Sequence, residues 1–155
     1  VPEVDTPPPE GHARDPHGRA GGPEEGAGPR HEARERALAL LYEAEMKRVD
    51  AADVLAALPA PPDPFATRLV EGVVARAAEI DGLVAEAAQD WEIDRMPVLD
   101  RAVLRLATYE LVAEPGTPVA VVIDEAVELA KEYSTEFSGG FVNGVLSTIA
   151  RRVRP

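Results

Sequence analysis

The stretch Glu114-Pro115-Gly116-Thr117-Pro118-Val119-Ala120-Val121-Val122-Ile123-Asp124-Glu125-Ala126-Val127-Glu128-Leu129-Ala130-Lys131-Glu132-Tyr133 decides the fold class. Its β-branched run, Val119 to Ile123, has the composition of a strand. The run is short, however, and it merges into apolar residues at helical spacing: Val122, Ile123, Ala126, Val127, Ala130 and Tyr133. Pro115-Gly116 is a clear break, and Thr117 followed by Pro118 suits an N-cap and a first helical position. The segment therefore reads as a helix. With it so assigned, no convincing strand is left in the chain.

The same periodicity continues outward in both directions. Upstream, Pro97 opens a helix with Leu99, Val103, Leu106, Ala107 and Leu111 turned inward, preceded by a short connection at Asp94 to Met96. Asp63 with Pro64 starts one long helix carrying Phe65, Leu69, Val73, Ala77, Ile80, Val84, Ala87 and Trp91. Gly72 and Gly82 each cost that helix about 1 kcal/mol, a cost consistent with close helix contacts. A short helix over Asp50 to Leu58, with Asp53 as its cap, follows a first helix from about Ala33 to Val49. Downstream, Ser134 to Gly140 reads as a polar connection and Phe141 to Val153 as the last helix. The expectation is an all-α domain of six or seven helices, in two halves meeting near Trp91, with no internal repeat.

Residues 1–30 hold seven prolines and six glycines and almost no large apolar side chain. Such a segment buries too little surface to offset its ordering entropy, so it is expected to be a disordered tail ahead of a domain at 31–155. The chain starts at Val1 rather than Met, as expected of processed or trimmed material. No apolar run approaches bilayer length and no segment resembles a signal peptide, so a cytoplasmic location is the expectation.

The composition removes most chemistry. There is no cysteine, and all three histidines (His12, His17, His31) lie in the tail or at its edge. The serines of the folded part, Ser134, Ser138 and Ser147, have no histidine to activate them, and Lys47 and Lys131 are the only lysines. No phosphate-cradling loop exists; Gly139-Gly140 reads as a tight helix entry. A di-metal carboxylate bundle requires paired Glu-x-x-His motifs, which are missing. Glu125 with Glu128, and Glu43 with Glu45, read as solvated helix faces. No catalytic residue, metal or cofactor is expected. The net charge of -12 also argues against indiscriminate nucleic-acid binding, so any contact with RNA has to come from a local basic patch.

Three features rise above this background. Arg30-His31-Glu32-Ala33-Arg34-Glu35-Arg36 places cations at a helix start, against the helix dipole. This reads either as an anion-binding entry or as a solvated face balanced by Glu32 and Glu35. Arg105 and Glu110 fall near the buried side of an apolar helix, where charges require partners. Asn143 and Gly144 are poor interior helix residues. Gly144 is expected to admit a neighbouring backbone, and Asn143 to bond across to another element. Phe141, beside two glycines, reads either as core or as a ring offered to an unstacked base.

These features occur together and in order in the NusB family of transcription antitermination factors. RHEARERALALLYEAE (31–45 with Arg30) resembles that family's arginine-bearing first helix, LDRAVLRLATYEL (99–111) its central helix, and PVAVVIDEAVELAKEYS with FVNGVL (118–134 and 141–146) its carboxyl-terminal signature. The resemblance covers about residues 30–155. It implies a seven-helix bundle in two helical subdomains, a non-enzymatic function, and binding to boxA-type single-stranded RNA of ribosomal RNA leaders. The implied protein partner is NusE, a small-subunit ribosomal protein, and the pair joins an RNA polymerase antitermination complex. By position it implies RNA contacts from Arg30, His31, Arg34 and Phe141, and a NusE-facing surface with Tyr42, Asp94 and Asp100. His31 and Glu32 stand where many relatives carry arginines, so Arg36, Arg14 or Arg19 would compensate. Two alternatives stay open: a protein-only scaffold or homodimer, and a domain related to the NusB-like part of ribosomal RNA cytosine methyltransferases.

Overall fold

The computed structural model describes residues 28–155. The expectations for the tail, including Arg14 and Arg19 as compensating cations, lie outside the described residues. Among those residues there is no strand. The helices are α1 (Pro29–Lys47), α2 (Ala51–Ala56), α3 (Pro64–Ala75), α4 (Ala77–Ala87), α5 (Val98–Ala113), α6 (Val119–Tyr133) and α7 (Ser138–Val153), with one 3-10 turn at Ile93–Arg95.

Local chemistry explains most boundaries. Asp63 caps α3 by accepting from the Phe65 N–H at 2.8 Å, with Pro64 at the first position. α2 is capped by Asp50, which accepts from the Ala52 N–H at 2.9 Å, and not by Asp53. α1 ends at Arg48, whose φ of 54° puts a non-glycine residue in the left-handed region. α6 starts one residue later than expected, with Pro118 as its cap residue.

The one long helix expected between Asp63 and Trp91 is two. The chain breaks at Arg76, where φ and ψ are -112° and 21°. The apolar spacing runs unchanged through the break, but its surroundings change. α3 packs on α1, α2 and α5, whereas α4 packs on α5 and α7. The break passes one continuous stripe from one half of the molecule to the other, and Trp91, largely exposed, is not the junction.

α5 is the shared wall. It touches α1 and α3 on one side and α4, α6 and α7 on the other. Ten of its residues are buried, from Asp100 through Leu111, including Leu104 and Thr108 with no exposed surface. α1 and α2 with α3 form the smaller subdomain, and α4, α6 and α7 the larger. Gly72 is the close approach of α3 to the α5 wall. A Cβ there would lie 2.1 Å from Cε2 of Tyr109, so α3 leaves room for the Tyr109 ring only because it carries no side chain. The other expected close approaches are absent. A Cβ on Gly82 or Gly144 would meet nothing within 4 Å, and Asn143 is exposed.

Candidate functional site

Two carboxylates of α5, ten residues apart, organise the surfaces the sequence singled out. With a rise of about 1.5 Å per residue they are separated by about 15 Å along the helix.

At the carboxyl end of α5, Glu110 is 2% exposed and receives the fork of Arg34 from α1. Arg34 Nη2 donates to Glu110 Oε1 at 2.8 Å, and Nε donates to Oε2 at 3.0 Å. Its remaining Nη1 lies 3.8 Å from Glu125 Oε2. The pairing raises the Arg34 pKa despite the opposing effect of burial. Arg34, expected from the sequence as an RNA contact, is 4% exposed. Its guanidinium is already satisfied by a buried carboxylate, and the residue docks the start of α1 onto α5.

Arg30, one turn earlier, is different. It is exposed, forms no ion pair among the described residues, and lies over the Phe65 ring, 4.3 Å from the centroid. Arg68 covers the same ring at 5.0 Å while pairing with Glu114 at 2.6 Å. Arg30, Arg34, Gly116, Thr117, Pro118 and Val121 line a cleft of about 450 Å³ between the starts of α1 and α6.

His31 neighbours this cleft. Its Nδ1 is 2.7 Å from Glu125 Oε2 and its Nε2 is 2.7 Å from Glu35 Oε1. The hydrogen bond to Glu125 holds its pKa above the ordinary imidazole value, with Glu35 and Glu128 adding to the effect against partial burial. Glu35 is the balancing acid expected from the sequence. Glu125, read there as solvated, is 8% exposed and bridges His31 and Arg34. Glu45, also read as solvated, accepts from Arg101 Nε at 2.8 Å and Arg105 Nη1 at 3.1 Å, which lowers its pKa. Arg105 pairs with Asp81 as well, at 2.9 Å. The expectation that Arg105 and Glu110 need partners is met at both.

At the amino end of α5, Asp100 is 4% exposed. Its carboxylate accepts from the Ser134 hydroxyl and, at 2.7 Å, from the Ser138 hydroxyl, tying the start of α7 to α5. Asp100, expected at the partner-facing surface, is like Arg34 buried and satisfied within the chain. Beside it, Phe141 is half-buried and packs edge-on against Trp91 with centroids 6.1 Å apart. Phe137 is 77% exposed. These rings, with Met96 and Pro97, line a cleft of about 430 Å³. The sequence concealed the cluster, because Trp91 lies far along the chain from Phe137 and Phe141.

Tyr42 is exposed on α1 and lines a groove of about 580 Å³ with Leu38, Arg36, Leu99 and Tyr133. The Tyr133 hydroxyl donates to Glu35 at 2.7 Å, which pushes its pKa up to about 12. Asp94 is exposed in the 3-10 turn. Of the expected partner-facing residues, Tyr42 and Asp94 are therefore accessible.

What this arrangement offers is surface. The hydroxyls of Ser134 and Ser138 are donated to a carboxylate with no imidazole near them among the described residues, and Lys47 is 3.5 Å from Glu43. No helix among the described residues is long and apolar enough to cross a membrane. The class so defined is a helical binding scaffold, with a cation over an aromatic ring at one end and an aromatic cleft at the other.

Comparison with known proteins narrows the class. The model of the NusB family matches residues 31–151. The chain is 49% identical over 127 residues to the transcription antitermination protein NusB of Streptomyces griseus, covering 76% of this chain and 89% of that protein. It is 48% identical to NusB of Saccharopolyspora erythraea, covering 79% and 87%. Among solved structures, T. maritima NusB superposes with a TM-score of 0.76 at 38% identity, covering 83% of this chain and 94% of that one. NusB in a complex with NusE and double-stranded RNA superposes at 0.69 and 29% identity, covering 79% and 96%. The chain belongs to the NusB family.

Proposed function

We propose that this protein is a transcription antitermination factor that binds boxA-type RNA of ribosomal RNA leaders together with NusE, and that it holds the two side by side without catalysis. The observation that carries the reading is Arg30, an exposed cation stacked on Phe65 at the lip of a cleft, beside Arg34 and Arg68, which are each paired with a carboxylate. The solved relative bound to NusE and double-stranded RNA supports both partners. Phe141 and Trp91 supply a ring surface suited to an unstacked base. They lie at the opposite end of α5 from Arg30, so a strand touching both has to run the length of that helix. Tyr42 and Asp94 are accessible for the protein partner. The acidic remainder suits a basic ribosomal protein and limits binding of unrelated RNA.

Gel-shift titration of a boxA RNA, a scrambled RNA and a boxA duplex, with and without NusE, tests this. Arg30→Ala is expected to weaken boxA binding about tenfold with little effect on stability. With Arg34 buried, only one or two phosphates are neutralised, so the salt slope is expected to be about -0.7 to -1.4. Equal affinity for boxA and scrambled RNA, with or without NusE, defeats the proposal.

A further inference from the structure

Arg34, Arg101 and Arg105 each meet a carboxylate. Arg154, the first residue past α7, is half-buried and meets backbone carbonyls instead. Its Nε donates to Leu111 O at 2.9 Å. Nη2 donates to Glu110 O at 2.9 Å and to Glu114 O at 2.7 Å, and Nη1 donates to Thr117 O. Four of its five N–H groups are thus engaged.

These acceptors lie on both sides of the break between α5 and α6. A continuing helix would satisfy Leu111 O from residue 115, but that residue is Pro115, which has no N–H. The guanidinium supplies the missing donor, and its charge suits the carbonyl end of a helix. The turn's own bonds run from the Glu114 N–H to Glu110 O and from the Thr117 N–H to Glu114 O, each at 3.0 Å. Arg154 grips both of those acceptors from outside.

The same turn is one wall of the cleft beneath Arg30. Gly116, Thr117 and Pro118 line that cleft, and Arg154 does not. Glu114 holds Arg68, which shares the Phe65 ring with Arg30. Glu110 holds Arg34 through its carboxylate. We propose that Arg154 is a positioning residue for RNA: from behind the cleft it fixes the Glu114–Pro118 turn, so that this wall and Arg30 meet the phosphate backbone together. The proposal rests on the reading of the Arg30 cleft as the RNA entry. Lysine cannot replace Arg154 here, because one ammonium nitrogen cannot span acceptors set around a planar fork.

The test uses the full chain with Arg154→Lys, which keeps the charge and loses the fork. Circular dichroism and an unchanged affinity for NusE are expected to show that the fold is kept. With NusE present, boxA RNA is expected to bind Arg154→Lys about fivefold more weakly than the parent. Adding Arg154→Lys to Arg30→Ala should worsen the about tenfold loss of Arg30→Ala by less than about twofold, because both act on one cleft, whereas independent effects would multiply to about fiftyfold. Hydrogen exchange at the Thr117 amide should quicken by about tenfold, with no change at the Phe141 amide near the other end of α5. Parent-like boxA affinity in Arg154→Lys while Arg30→Ala remains weak overturns this proposal and leaves the RNA reading intact. So does a fully multiplied loss in the double variant, an unchanged Thr117 exchange rate, or loss of NusE binding alongside RNA, which marks a purely structural role. Parent-like affinity in Arg30→Ala instead sinks the RNA reading of the cleft, and this proposal with it.

Discussion

The two ends of α5 do the same mechanical work by different chemistry. Each places one buried carboxylate against the first two turns of another long helix. Glu110 holds α1 through the guanidinium of Arg34, and Asp100 holds α7 through the hydroxyls of Ser134 and Ser138. At the Glu110 end, two full charges are removed from water and each depends on the other. At the Asp100 end, one charge is dispersed over neutral donors that could equally bond to water. The end read as the RNA entry is therefore rigid by charge pairing and unforgiving of change. The aromatic end is held by hydrogen bonds of ordinary strength.

The largest expected effect follows directly. Glu110→Ala removes the hydrogen-bonded counter-charge of the buried Arg34 guanidinium and leaves it only Glu125 at 3.8 Å, which costs about 3 kcal/mol. Urea unfolding should show a lowered midpoint with little change in slope. Replacing both partners, as Arg34→Met with Glu110→Leu, should recover most of the loss. A double variant as unstable as Glu110→Ala would mean that packing around the pair, and not charge, holds α1.

Asp100 comes next. Asp100→Ala strands the Ser134 and Ser138 hydroxyls and should cost about 1–3 kcal/mol. Asp100→Asn keeps an acceptor oxygen of the same shape and should cost about 1 kcal/mol or less, whereas Glu110→Gln should remain close to Glu110→Ala. If Asp100→Asn proved as damaging as Glu110→Gln, the contrast between the two ends would vanish. A smaller and local change is expected from Trp91→Ala. It removes the edge-on contact with Phe141, worth about 0.5–1.5 kcal/mol, and should loosen boxA RNA without altering the effect of Arg30→Ala.

These residues also show where sequence reading stops. The helices were legible because apolar spacing and Pro-containing breaks are local signals. Asp63 with Pro64 and Pro115-Gly116 marked true boundaries. Arg76 was not legible: Leu69, Val73, Ala77, Ile80 and Val84 keep step through it, and only the change of neighbours separates α3 from α4. The need of Arg105 and Glu110 for partners was legible, since a charge on an apolar face carries that requirement itself. The identity of the partners was not. Arg34 and Glu110 are 76 residues apart, and an arginine near a helix start looks equally like a phosphate ligand or a strut. Arg30 and Arg34 have the same side chain one turn apart, and only the fold leaves one exposed and buries the other. Tyr42 and Asp94 stayed accessible where Asp100 did not, again a matter of what the fold packs over them.

His31 gives the smallest effect and the most specific one, because it lies on the charge-paired side of the contrast. Its pKa is raised in the folded chain by the hydrogen bond to Glu125 and by the charges of Glu125, Glu35 and Glu128. A raised folded value means that the folded state holds the proton more tightly than the unfolded one. The stabilisation is then complete below the unfolded value of about 6.5 and fades as pH climbs through the higher folded value. Melting temperature should therefore fall from about pH 6 to pH 8 by more in the parent chain than in His31→Asn. Asp100→Asn should leave that pH dependence untouched, since among the described residues no imidazole lies at its end of α5. Parallel curves for parent and His31→Asn would show that the Glu125–His31–Glu35 contacts are formed without a net gain. The rigidity of the α1 entry would then rest on Arg34 and Glu110 alone.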